Sequence, residues 1–362
     1  VCSSDLADGK LELGKTNVVA VPGPLIIAGP NSASLVRLLQ SEQIGDNSPV
    51  VLQDTGWISL DGQNETIGSL AGLGAVFQSG GQTGLLTVGG NQTSTTFQGT
   101  ILGGGGLTKV GNGTFTLTGN NLYTGVTTVT DGTLMVMGEQ PQSQITLLTG
   151  GRLGGSGRVG HISDLNGHVA PGASTGILVC SNYSTFTPEN LLEIEINGPT
   201  PGSRYDQLQV LGNILLIGGT LQLTVNTTGE AGNEYVIIRN DGPNPVTGSF
   251  TGLPEGAMFS NNGAVFQITY QGGDGNDVVL VQQPAGGALQ ITGGWMLPDG
   301  VFQLTAQVVP HATYGVEATT NLITPVVWTF LGNAAANAAG QLQFTDPDAP
   351  LHPTRFYRLT HP

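Results

Sequence analysis

Gly106-Leu-Thr-Lys-Val-Gly-Asn-Gly-Thr-Phe-Thr-Leu-Thr-Gly-Asn-Asn-Leu-Tyr-Thr-Gly-Val-Thr-Thr-Val-Thr-Asp-Gly-Thr-Leu-Met-Val136 is the stretch that decides the fold. Apolar residues alternate with Thr, and Gly and Asn punctuate the runs. Period-two alternation between Gly marks reads as short strand rather than helix. The marks recur: Gly113, Gly132 and Gly151 are 19 residues apart, as are Gly106 and Gly125. A fixed period near 20 with one strand per mark is the pattern of a solenoid. Without helices to carry the crossovers, parallel strands are joined by the coil of a β-helix. Each rung then covers the next one's inner face.

Working outward, the same texture runs through most of the chain. The composition fits stacked rungs. Charged residues are 10% of the 362, Gly numbers 58, and Lys+Arg 10 against Asp+Glu 25 gives a formal net charge of −15. Charge is scarce because like charges would stand directly above one another in a parallel stack. No basic stripe is present, so nucleic acid is excluded as a partner, and an anionic membrane surface would repel the chain. The balance suits neutral sugars or cations. Two cysteines, Cys2 and Cys180, make no disulfide framework. Cys180 closes an apolar run and reads as a small buried hydrophobe. Leu35, Leu38 and Leu39 have helical spacing, but prolines at 30 and 49 bracket them, and a strand is expected there.

The expected organisation has five parts. Residues 1–6 read as a non-native adaptor-like leader, 7–190 as β-helix rungs, and 191–283 as terminal rungs or a capping β region. Residues 284–287 read as a linker and 288–362 as a small β-sandwich. A cap is required because a bare last rung would be a sticky edge. The fold class expected is therefore all-β: a parallel β-helix followed by a small β-sandwich module.

The stretch 106–136 resembles the autotransporter-associated β-strand repeat, and flanking stretches such as Asn64–Leu70, Val169–Ser174 and Gly252–Gly256 resemble the same protein type. The tail, with Tyr314–Asn321 and Pro353–Arg358, is similar to a C-terminal module of large secreted bacterial proteins. The resemblance implies a passenger-type β-helix displayed outside the cell. It would be a monomeric piece of a larger protein whose export signal and upstream domains lie elsewhere. No run of roughly ten-residue membrane-barrel strands accompanies it in this sequence, so export by another route is expected, with the tail as a sorting or anchoring signal.

Several motifs invite chemistry. Ser174 sits in Gly172–Gly176, a G-x-S-x-G pattern, but Pro171 precedes it and a strand follows, so a turn between rungs is expected rather than a nucleophile elbow. Gly155–Gly160 matches G-x-G-x-x-G without opening a helix, so no dipole awaits a pyrophosphate. Asp274, Asn276 and Asp277 resemble one calcium-binding nonapeptide. A single copy supplies few of the 6–8 oxygens calcium takes, so calcium is a weak candidate and a polar turn is expected. Glu193 and Glu195 share one strand face and could serve glycoside hydrolysis. No basic residue follows before Arg204, so a solvated face is expected. His161 and His168 could face one another across a turn beside Asp164. His311, His352 and His361 scatter through the tail. Trp295, Trp328, Phe330, Phe344, Phe356 and Tyr357 are expected to form the tail's core.

The reading is a non-catalytic secreted or cell-surface rod, adhesin-like, with surface glycans or other cells as partners and no cofactor. The alternatives are a polysaccharide-active β-helix enzyme, a lyase or glycoside hydrolase, and carbohydrate binding confined to the C-terminal module. A cleft where three or more acidic and basic side chains converge would favour the enzyme.

Overall fold

The computed structural model describes residues 4–6, 9–27, 33–78, 84–164, 166–227, 229–283, 290–298, 301–309, 312–337 and 340–360. Apart from a single 3-10 turn at Ala349–Leu351, every regular element described is a strand. No helix among the described residues is long and apolar enough to cross a membrane. Two compact units emerge. One comprises residues 1–227, 235–256 and 268–280, the other 228–234, 257–267 and 281–362. The adaptor-like stretch beyond Ser4–Leu6 and the linker at 284–287 fall outside the described residues.

The larger unit is a parallel β-solenoid. Its first sheet has eleven strands in chain order, from Ser4–Leu6 through Gly132–Val136 and Gly151–Gly155 to Thr220–Val225. A second runs in parallel from Glu65–Ile67 through Gly106–Lys109 and Thr127–Val129 to Gln207–Val210 and Glu234–Asn240. A third sheet of five strands, Gly9–Leu13 to Thr100–Gly103, lines only the early rungs. The segment with helical leucine spacing is the strand Ser34–Leu38 of that third sheet, with Val36 and Leu38 buried and Leu39 exposed. Alternation wins there because the neighbouring rungs supply ladder partners on both sides.

Sequence period and ladder register coincide where the sequence is most regular. Gly132 pairs with Gly151 and Thr114 with Thr133. The match fails for Gly106 and Gly125. Leu107 pairs with Thr127, so that turn is one residue longer, and Gly125 stacks on Gly105 instead.

Inward side chains form columns. Phe115, Leu134, Leu153, Val169 and Leu192 follow one another across the first sheet, none more than 1% exposed. Burying each is worth about 1.5–3 kcal/mol, and no rung can realise this alone. On the second sheet Thr127 interrupts the apolar column. Its hydroxyl lies 2.6 Å from Tyr123 Oη and 2.7 Å from Ser143 Oγ, and it accepts Gln140 Nε2 at 2.7 Å. Its outward neighbours form a row of hydroxyls: Thr66, Thr87, Thr108, Thr128, Thr146 and Ser163 occupy successive rungs.

Parallel rungs persist past residue 190, with Leu191–Ile196 pairing to Thr220–Val225. The chain then turns antiparallel, Met258–Asn261 against Ala264–Gly272.

In the smaller unit, Gln290–Met296, Phe302–Gln307 and Gln341–Asp346 make one antiparallel sheet. Thr313–Thr319, Thr329–Ala335 and Phe356–Thr360 make another. Leu304, Ala306 and Leu342 from one sheet meet Tyr314, Val316 and Ala334 from the other, which makes the module a β-sandwich. Its core is therefore aliphatic with one Tyr. Phe344 and Tyr357 pack against it, but Trp295, Phe330 and Phe356 are exposed, and Trp328 lies under the Arg358 guanidinium at 4.5 Å. The expected aromatic core holds only for Phe344 and Tyr357: Trp328 precedes its strand, and a register shift between Val316 and Glu317 sets Phe330 opposite Glu317.

Candidate functional site

The strongest convergence of charge lies on the first sheet, over strands Gly151–Gly155, His168–Pro171 and Leu191–Ile196. Arg152 pairs with His168 in register, and the next rung brings up Glu193. Arg152 Nε and Nη2 each donate to one oxygen of Glu193 at 3.2 Å, and His168 Nδ1 lies 3.4 Å from Oε1. The expectation that no base stands near Glu193 is overturned. Residues 41 positions apart along the chain are neighbours across two rung steps.

Two residues on, Glu195 accepts Ser174 Oγ at 3.1 Å and the amides of Asn197 and Asn226 at 3.0 Å each. Beneath it Asp206 is buried, its two oxygens taking the backbone N–H groups of Gly176 and Glu195 at 2.8 Å each. Burial pushes the Asp206 carboxyl up to about 7, against the pull of those two hydrogen bonds. Arg152, Ser174, Glu193, Glu195 and Asp206 line a shallow cleft of about 300 Å³.

The arrangement limits what the cleft can do. A general acid must present a free proton toward a leaving group. Both Asp206 oxygens face backbone donors, and Glu193 is clamped by Arg152 in a bidentate pair. Glu195 has three donors of its own. The hydroxyl of Ser174 donates to the Glu195 carboxylate, and among the described residues no His is hydrogen-bonded to it.

The other motifs lie apart. Gly155–Gly160 spans the end of strand Gly151–Gly155 and the start of Arg158–Asp164, in an all-strand setting. His161 and His168 do not face one another. Nδ1 of His161 lies 3.3 Å from Asn182 Nδ2 on the second sheet, while His168 belongs to the first. Asp274 and Asn276 fall in the turn after Ala264–Gly272, and Asp277 opens the strand Asp277–Gln283. Asp277 Oδ1 accepts the Asn240 N–H at 2.8 Å, Asn276 Nδ2 donates to Gly242 O at 2.9 Å, and Asp274 stays exposed. Burial pushes Asp277 up. Among the described residues no group of three or more His, Cys, Asp or Glu side chains is placed to hold a metal ion. His311 and His361 lie outside the described residues.

Glu65, Asp206 and Lys109 are buried ionisable groups outside any motif. Glu65 takes the N–H groups of Gln43 and Ile44 at 2.8 Å each, and burial pushes it up to about 7. Asp206 is its counterpart several rungs on. Lys109 donates its ammonium to Val110 O, Gly111 O and Asp131 O at 2.7, 2.6 and 3.2 Å. Each ties down the corner of a rung. The one available signal was their place beside Gly-marked turns.

Residues 107–136 match the family model described as Passenger-associated-transport-repeat. No curated protein matches the chain. Among solved structures it is similar to the crystal structure of the Haemophilus influenzae Hap adhesin, with TM-score 0.36 and 12% identity. That likeness covers 77% of this chain and 33% of the other, so the chain spans about a third of that structure's length. The stretch whose alternation decided the fold thus matches a passenger-associated transport repeat and lies in the middle of a parallel β-solenoid.

Proposed function

We propose that this chain is a non-catalytic, adhesin-like rod, secreted or held at a cell surface. The repeat match at 107–136 supports display outside the cell. The observation that carries the non-catalytic part is the cleft itself: Glu193, Glu195 and Asp206 converge with Arg152, yet every carboxylate oxygen there is committed to a donor within the rungs. Convergence of acid and base was the feature that would favour an enzyme. Its hydrogen bonding favours a structural clasp, in which side chains staple consecutive rungs. Surface glycans or other cells are the partners this reading supplies, met by binding without chemistry.

The test has two arms. The purified full chain is incubated with a panel of neutral and acidic polysaccharides, and new reducing ends or unsaturated products are measured. The rod reading expects none. Release that disappears in Glu195→Gln would establish the enzyme instead. In the second arm, antibody staining of intact source cells should be positive and protease-sensitive, and signal found only after lysis would remove the display reading.

A further inference from the structure

The β-sandwich module holds a cavity of about 450 Å³, lined among others by Thr319, Asn321, Ile323, Val327, His352 and Arg355. Its size is within the range of small-molecule sites, roughly 300–1,000 Å³. The Arg355 side chain is only 10% exposed. A guanidinium offers five N–H donors and accepts nothing. Asp346 Oδ2 lies 3.2 Å from Arg355 Nη1, yet that buried nitrogen makes no hydrogen bond, so the contact balances charge without aligning a donor. Asp346 is engaged from other directions: Oδ2 accepts the Tyr357 hydroxyl at 2.8 Å and Oδ1 the Asp348 N–H at 3.1 Å.

Nη1 itself is closed off from solvent, but the guanidinium carries further N–H groups and Arg355 lines the cavity wall, so a ligand oxygen held there can accept from it. The sign of the ligand follows from the pair. An anion would meet the Asp346 carboxylate and a chain of net charge −15, and a cation would meet Arg355. A neutral, oxygen-rich ligand meets neither objection. The walls fit the same chemistry. Ile323 and Val327 stand 74% and 76% exposed at the rim, beside the polar Thr319 and Asn321. Asn321 is held in place by the Ile323 N–H, which donates to Oδ1 at 2.8 Å. A pyranose ring presents C–H faces to apolar rims and hydroxyl edges to donors.

We infer that this cavity binds a neutral saccharide unit, with its hydroxyl oxygens accepting from the Arg355 guanidinium. The inference gives the adhesive part of the proposed function a ligand, and its failure would leave the rod untouched.

The test uses the full chain, fluorescently labelled, on an array of neutral gluco-, manno- and galacto-oligosaccharides with uronate oligosaccharides alongside. Retention on at least one neutral oligosaccharide is expected, weakened at least tenfold by Arg355→Gln and equally by Val327→Arg, which blocks the rim. Glu193→Gln on the rod should change nothing. Should Arg355→Gln lose the module's fold by near-ultraviolet circular dichroism, Val327→Arg decides alone, since that side chain is at the surface. Absence of neutral binding, preference for uronates, or binding indifferent to Val327→Arg overturns the inference.

Discussion

Oε1 of Glu65 accepts the backbone N–H of Ile44 at 2.8 Å, one rung back, from a position almost wholly out of water. A carboxylate thus serves as a staple between turns of the coil, and its charge state bears on whether the coil holds.

Burial dominates at Glu65 and lifts it from 4.5 to about 7, and Asp206 behaves alike, rising from 3.8 to about 7. An acid with a raised folded pKa stabilises most while protonated. That contribution is complete below the unfolded value and is lost as pH climbs through about 7. Glu12 and Asp61 are lowered by their hydrogen-bond partners and work the other way, but they are largely solvated and count for little. Melting temperature should therefore fall between pH 5 and pH 8, with Glu65 alone contributing on the order of 3 kcal/mol. Glu65→Gln should flatten the profile. A melting temperature that rises steadily over this interval would contradict the assignment.

Gly155 has φ +108, and a Cβ there would sit 1.9 Å from Val136 O on the preceding rung. Gly155→Ala should cost about 2–4 kcal/mol, since strain and a backbone clash add. Gly104→Ala, with nothing within 4 Å, is the matched control and should stay within about 0.5 kcal/mol. Denaturant midpoints compare the two, and equal midpoints would refute close rung packing.

Lys109→Met keeps the aliphatic stem but leaves three carbonyls without their ammonium. A loss of about 1.5–3 kcal/mol is expected. Amide exchange should quicken first at Gly111 and Gly132, on the corner the ammonium holds. Uniform acceleration across the chain would mean the lysine has no local role.

Burial pushes the Cys180 thiol up to about 12, and the side chain is wholly out of water. In a Cys2→Ser background, Ellman's reagent should find no thiol below the unfolding transition and one above it. Prompt labelling in buffer would show that the coil opens there.

The architecture was legible because its signals are local. The alternation in Thr114–Leu117 and the Gly marks at 132 and 151 each lie within a few residues, and the register repeats them. The cleft was hidden because its contacts are not local. Nothing near Glu193 in sequence announces Arg152, which reaches it only after the chain has wound past His168. Nothing near Glu65 and Lys109 in sequence marks their burial, for a similar reason: Glu65 and one of the Lys109 contacts find main-chain partners on rungs that only stacking brings close. In the module, a register shift between Val316 and Glu317 sets Phe330 opposite Glu317 while Ala334 faces buried Tyr314, and composition carries no such shift.

The pairing of Gly132 with Gly151 has a consequence for how such a gene can change. Because one interval of sequence equals one storey of the stack, excising residues 132–150 would bring Gly151 to the place Gly132 held, facing the same neighbour below. Insertion of a copy would do the reverse. Gain or loss of chain in units of this interval can therefore lengthen or shorten the stack in whole steps, leaving the rungs on either side in register.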